Sequence, residues 1–373
     1  MITDKTRPNS GFLMQSAPGA ETVINGRTVL YFGGTGYFGL HGHPEVIRAG
    51  VEAFSQGTHS ATIRSGFGNN PILLDVERKL AVFFGTEDAV YFSSGYLNAL
   101  FLAQAPASRF DSVFIDQACH FGIRDGIAAS GKPVVFYRHC DPEDLRQKLR
   151  NDLPAGAKPL VLTDGVFPAF GEIAPVADIL DVIEPFDGIL ALDDAHGVGI
   201  LGSNGRGTLE HFGKTPGESV LSAGTLSKAF GGYGGFIPGG AALTAGIRET
   251  VGAYAGSTPV PTPIAAASAK GIELLSAHPE WRESLRRNAG RLKAGLRALG
   301  LPAADSPVPI AAWTLSPAAE MKRVQEVLFD RGIALARLSY AGAPAGGVLR
   351  ATVFSTHTRD QIDRLLDELK RVL

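Results

Sequence analysis

Between Ala89 and Pro238 the chain repeats one pattern: a short continuous apolar run, a turn, then a segment of helical length and periodicity. The runs are Ala89-Val-Tyr-Phe, Ser112-Val-Phe-Ile, Pro133-Val-Val-Phe-Tyr, Pro159-Leu-Val-Leu-Thr and Gly188-Ile-Leu-Ala-Leu, and the segments between them span 96–104, 122–130, 141–151 and 174–183. Ser219-Val-Leu-Ser and Gly235-Phe-Ile-Pro read as two further strands. A strand that is apolar throughout has to be covered on both faces, and strands joined through helices run parallel. The pattern predicts an α/β fold with a mainly parallel sheet between helices.

Outside this stretch the texture differs. Val29-Leu-Tyr-Phe reads as a strand after a turn at Asn25-Gly26, and 44–56 as a helix with Val46, Ile47, Val51 and Phe54 on one face. Asn70-Pro71 is a helix start and Gly85 its stop. After Pro263 a helical region rich in Ala, Leu and Arg runs to about Gly300. Strands at 310–315 and 348–354 and helices at 318–331 and 358–373 follow, which reads as a smaller α+β lobe. The expected division is 1–45 for an N-terminal arm and small-lobe segment, 46–262 for the large domain, and 263–373 for the small C-terminal α+β domain.

With 373 residues the chain can bury a large core and carry a second lobe. Its formal net charge of −2 gives no basic field for nucleic acid. Two cysteines, Cys119 and Cys140, do not make a disulfide scaffold, so a reducing, cytoplasmic setting is expected. The first residues lack the apolar stretch of a signal peptide, and no apolar run is long enough for a bilayer, so no membrane partner is expected. No metal site is read.

Two segments carry chemistry. Lys228 lies in Gly-Thr-Leu-Ser-Lys-Ala-Phe-Gly-Gly, among small and hydroxyl residues, where an amine can condense with an aldehyde. Asp193 ends the apolar strand of Leu-Asp-Asp-Ala-His-Gly, where a carboxylate can hold a pyridine nitrogen protonated. Together they describe the two ends of pyridoxal phosphate. Alone, a strand-end Asp is as often a turn cap and a lysine is usually exposed; the pairing, with His196 in reach of the ring's phenolic oxygen, points away from that. Ser93-Ser94-Gly95-Tyr96 follows a strand and opens a helix, a geometry that offers backbone N–H groups to a phosphate. Thr225 and Ser227 can bond phosphate oxygens. His120 can stack on a ring. Arg350, alone on an apolar strand, needs a carboxylate partner from either a substrate or the protein. Asp164 ends another strand and precedes a glycine.

These residues resemble fold-type I pyridoxal-phosphate enzymes of the α-oxoamine synthase family. The similarity runs from Gly26-Arg27 to the last helix and includes Tyr37-Phe-Gly-Leu-His-Gly-His-Pro and His357-Thr358. It implies an aminotransferase-like large domain plus a small α+β lobe, and roles for named residues. Lys228 would hold the cofactor and then act as base at the α-carbon. Asp193 would pair with the pyridine nitrogen, His196 with the phenolic oxygen, and His120 would stack. Ser94, Gly95, Tyr96, Thr225 and Ser227 would bind phosphate and Asp164 would assist. Arg350 would hold the substrate carboxylate. Ser257 and Thr258 would cross to a partner subunit's phosphate, which implies a homodimer with shared active sites. Thr35 stands where many members have asparagine, Arg64 keeps an arginine of the family, and Pro168-Ala-Phe-Gly replaces a Ser-Met-Asp-Gly segment; Thr35 and Arg64 are expected near the substrates.

The expected activity is condensation of an amino acid with an acyl thioester. An aminotransferase, or a decarboxylase or aldolase, on the same scaffold is the alternative. A non-catalytic partner or a regulator is disfavoured, because Lys228 is present and the first strand begins by about Val29.

Overall fold

The computed structural model describes residues 11–373. The Asn25-Gly26 turn joins β1 (Glu21–Ile24) to β2 (Arg27–Tyr31), with both turn residues at positive φ, the backbone that a two-residue hairpin needs. Seven strands follow: β3 (Asp88–Phe92), β4 (Ser112–Asp116), β5 (Val134–Tyr137), β6 (Pro159–Asp164), β7 (Ile189–Asp193), β8 (Val220–Thr225) and β9 (Gly235–Gly239). They form one sheet in the order β3-β9-β8-β7-β6-β4-β5, parallel except for β9, which runs against both neighbours.

The expected apolar runs explain this sheet. Val113 and Ile115, Leu160 and Leu162, and Ile189 and Ala191 belong to one apolar cluster. Phe114, Val161, Leu190 and Leu192 belong to another on the opposite face. This two-residue alternation is the strand period, and both halves are apolar because helices cover both faces. Phe101, Ile123, Ile127 and Ile247 cover the first face; Leu145, Leu149, Ile179 and Val182 cover the second.

Beyond the large sheet lie β10 (Ile310–Trp313), β11 (Ile333–Ala334), β12 (Ala336–Leu338) and β13 (Val348–Thr352). β10, β13 and β12 form an antiparallel sheet, while β11 joins the N-terminal hairpin. The fold is the expected mainly parallel sheet between helices with a smaller α+β portion. The helical region after Pro263 is two helices, Thr262–Ala277 and Glu280–Ala298, divided where Pro279 removes an amide donor. No helix among the described residues is long and apolar enough to cross a membrane.

One helix buries only Val46 of the four residues expected on its inner face. In Pro44–Ala53 and the turn after it, Ile47, Val51 and Phe54 are 51%, 63% and 59% exposed. Its buried residues are Val46 and Ala53, and it packs on Thr262–Ala277, with Gly50 close enough that a Cβ would lie 3.2 Å from the Pro263 carbonyl oxygen. Small residues win the inner face because the two helix backbones approach closely.

Candidate active site

Asp116, Asp164, Asp193 and Thr225 each end a strand of the large sheet, so their side chains gather at its carboxyl edge, where open α/β sheets bind ligands. A cavity of about 320 Å³ opens there. Its walls include Thr35, Ser94, Gly95, Tyr96, His120, Asp164, Asp193, His196, Thr225, Ser227, Lys228 and Arg350, so the structure gathers twelve of the expected residues around one space.

Asp193 is buried, accepts a hydrogen bond from Asn98 Nδ2 at 2.9 Å, and accepts one from the Ala195 amide at 3.3 Å. Burial raises its pKa; the Lys228 charge and the Asn98 bond oppose that. Asp164 accepts from the His120 amide at 2.7 Å, and burial beside Asp193 holds its carboxyl well above the usual range. Lys228 is enclosed, and burial pushes its amine down to about 8, against the pull of Asp193 and Asp164 and with the help of Arg350. Burial, with Lys228, Arg350 and His120 nearby, holds His196 far below the ordinary imidazole range, so it is neutral. His120 is lowered too, first by burial.

Ser94 Oγ accepts from the Tyr96 amide at 3.2 Å as the backbone turns into a 3-10 helix. A Cβ at Gly95 would lie 2.7 Å from Thr225 Cβ, so this turn and the end of β8 can close on a small anion only with glycine there. Thr225 Oγ1 reaches both Ser227 Oγ at 2.8 Å and the Gly234 carbonyl at 3.0 Å.

Arg350 projects from β13 of the smaller sheet. Nη1 donates to the Pro168 carbonyl at 2.8 Å, and Nε is buried without a partner among the described residues. Of the two sources left open for its partner, no protein carboxylate pairs with it among the described residues. Pro168 stands at the tip of a hairpin closed by the Val166–Ile173 bridge. That hairpin is tied down by His139, whose Nε2 meets Glu172 at 2.9 Å and whose Nδ1 meets Asp116 at 3.0 Å. Burial opposes charge on His139, but its bonds to Asp116, Cys140 and Glu172 hold it up at about 12. Asp116, His139 and Cys140 could converge on a cation, yet both ring nitrogens of His139 are already taken up by the carboxylates on either side, Asp116 and Glu172.

Arg64 does not reach the cavity. Its guanidinium is buried against Glu77 at 2.8 Å, the Tyr91 carbonyl at 2.9 Å and Asn69 at 2.8 Å, and it stacks over Tyr254. Those partners hold the arginine against the helix Pro71–Phe84 in this chain, and its Nη2 is buried without a partner among the described residues. Ser257 and Thr258 line no part of the cavity of their own chain; Ser257 Oγ bonds the Ala253 carbonyl.

Sequence reasoning did not assign Asn98, Ala195, Leu338 or Tyr340, although the last three line the cavity and Asn98 holds Asp193. Tyr340 stands 5.6 Å from the His120 ring and 5.4 Å from Phe121. Its signal was an aromatic residue in a loop otherwise made of Ser, Ala, Gly and Pro.

The sequence matches the model of the family described as aminotransferase class I and II over residues 29–369. It is 35% identical over 355 residues to 8-amino-7-oxononanoate synthase of Thioalkalivibrio sulfidiphilus (strain HL-EbGR7), covering 94% of this chain and 90% of that one. To 8-amino-7-oxononanoate synthase 1 of Bacillus subtilis (strain 168) it is 32% identical over 360 residues, covering 96% and 91%. A solved serine palmitoyltransferase from S. paucimobilis with a bound PLP–myriocin aldimine superposes with a TM-score of 0.90 at 29% identity, covering 97% of this chain and 92% of that one. This chain belongs to the aminotransferase class I and II family, in its α-oxoamine synthase branch.

Proposed function

We propose that this chain, as a pyridoxal-phosphate enzyme, condenses an amino acid with an acyl thioester. The observation that carries the reading is one cavity with a partly neutral lysine, a buried strand-end carboxylate and an unsaturated arginine on its walls.

The residues fit the cofactor. The Ser94–Tyr96 turn, Thr225 and Ser227 would hold its phosphate, His120 one ring face, Asp193 the pyridine nitrogen and His196 the phenolic oxygen; Asp164 steadies His120 through its amide. When bound, the cofactor supplies an electron-withdrawing ring that stabilises negative charge at the substrate's α-carbon. Asp193 keeps its position through Asn98, so its charge stays aimed at one end of that ring. Lys228 Nζ would hold the cofactor and, when free, would be the base that takes the α-proton; a pKa near 8 suits it to give and take protons near neutrality. Arg350 receives the amino acid carboxylate through its free N–H groups while Pro168 fixes the guanidinium plane. Thr35, on the cavity wall, faces the second substrate.

The chain works as a homodimer. The exposed apolar residues Ile47, Val51 and Phe54 along one helix face, and Phe67, 95% exposed, support a second copy packing on this side, with Ser257 and Thr258 of the partner subunit completing the phosphate site. The free thiols Cys119 and Cys140 suit a reducing compartment such as the cytoplasm.

The test is to mix enzyme, single amino acids and a panel of acyl thioesters and to follow free thiol. Thiol release that depends on both substrates supports the reading. No release across the panel, with the cofactor converted to its amine form by amino acid alone, would replace it with transamination.

A further inference from the structure

We infer that Tyr37 is a positioning residue that fixes the tautomer of His196, so that an N–H faces the cofactor's phenolic oxygen. The inference deepens the proposed function and rests on its assignment of His196 to that oxygen. Tyr37 is fully buried, and its hydroxyl lies 2.7 Å from His196 Nδ1, with the rings edge-on at 6.4 Å. Among the described residues His196 is the hydroxyl's sole hydrogen-bond partner. A phenol has one proton to donate, and leaving it buried without an acceptor is costly. Among the described residues the only acceptor in reach is the lone pair of an unprotonated Nδ1. A neutral imidazole that accepts at Nδ1 carries its proton on Nε2. Burial keeps both partners neutral, the phenol as phenol and the imidazole as imidazole.

The opposite arrangement, Nδ1–H donating to the phenol oxygen, strands the phenol proton. It also turns an Nε2 lone pair toward the cavity, where it would repel a phenolate oxygen. The observed pairing avoids both.

Tyr37 is held rigidly enough to do this. Its carbonyl accepts from the Ser355 amide at 2.7 Å, and four residues on, His41 Nε2 meets the Ser227 carbonyl at 2.9 Å. At Gly231 a Cβ would collide with Leu40 and the His41 amide, so glycine there lets the lysine loop lie directly on this segment. Residues 34–42 thus form a strap that touches the turn carrying His196 through Tyr37 and the loop carrying Lys228 through His41. The strap sets a proton position on one side and a backbone position on the other.

Tyr37→Phe removes one oxygen and keeps the ring. The first readout is nitrogen NMR of apo-protein labelled at histidine, with the His196 signals assigned by their loss in His196→Asn. The wild type is expected to show a neutral ring protonated at Nε2, and Tyr37→Phe a mixture of tautomers. A wild-type ring protonated at Nδ1 or at both nitrogens overturns the inference, as does a Tyr37→Phe ring still locked with its proton on Nε2. The second readout uses the holoenzyme. Tyr37→Phe is expected to shift the pH at which the cofactor's visible band changes and to lower kcat/KM about tenfold, the scale of one buried hydrogen bond. It should add nothing further in a His196→Asn background, and a full additive loss there overturns the coupling. A tautomer that responds as stated beside an unmoved visible band supports the control by Tyr37 and overturns the assignment of His196 to the phenolic oxygen.

Discussion

The amine of Lys228 should titrate near pH 8 in the apo-protein, and its reactivity should show it. The ordinary value is 10.5; burial drives it down, Asp193 and Asp164 pull it up, and Arg350 pushes it down again. A drop of that size corresponds to about 3 kcal/mol. At neutral pH roughly one amine in ten is then unprotonated, against about one in three thousand for an exposed lysine, an advantage of about three-hundredfold. The assay is brief labelling of apo-protein with acetic anhydride across a pH series, with the Lys228 peptide quantified by mass spectrometry. Labelling should rise about tenfold per pH unit up to about 8 and then level off. Arg350→Leu removes a cation and should move the break upward; Asp193→Asn removes an anion and should move it downward. The same shift has a signature in stability. The folded pKa lies below the unfolded one, so between about pH 8 and 10.5 the unfolded chain binds more protons, and the apo fold gains stability as pH rises through that window. Labelling that climbs without a break through pH 10, or breaks that move in the reverse order, would refute the electrostatic account.

Four further outcomes are expected. Lys228→Ala should lose the visible absorption of the lysine-bound cofactor and all turnover; retained turnover would contradict its role. Asp193→Ala should slow α-proton exchange at least about a hundredfold, measured by solvent deuterium incorporation, and near-wild-type exchange would contradict the pairing with the ring nitrogen. Glu172→Gln loosens the His139 tie on the hairpin that carries Pro168, so KM for the amino acid should rise about tenfold with kcat little changed, and an unchanged KM would separate that hairpin from substrate binding. Val51→Arg puts a charge on the exposed apolar group, and sedimentation should show monomer in place of dimer; an unchanged dimer would move the interface elsewhere.

The large sheet was legible because its strands are apolar on both faces, a pattern that few other folds require. The catalytic edge was legible for a related reason: Asp164, Asp193 and Thr225 each stand where an apolar run stops. What periodicity could not supply was the identity of the surface that covers an apolar stripe. The helix over 44–53 carries one, yet the single chain buries the small residues beside it. The pairing of Arg64 was not legible because its partner sits thirteen residues on. Glu77 lies on the inner face of the helix Pro71–Phe84 with Leu73, Val76 and Leu80, and a carboxylate on a buried stripe was a signal that a cation had to meet it. Asn98 and Tyr37 were hidden for a different reason. Their partners, Asp193 and His196, are 95 and 159 residues away, and no local pattern announces such contacts.

The groups suited to gripping the cofactor ring and phosphate ride on the seven-stranded sheet, whereas Arg350, Leu338 and Tyr340 ride on or beside the sheet of β10, β13 and β12. Reagent and cargo are therefore clasped by two separate frames. A slight tilt of the lesser frame would resize the berth for the amino acid while the strand-end carboxylates of the larger one keep their places.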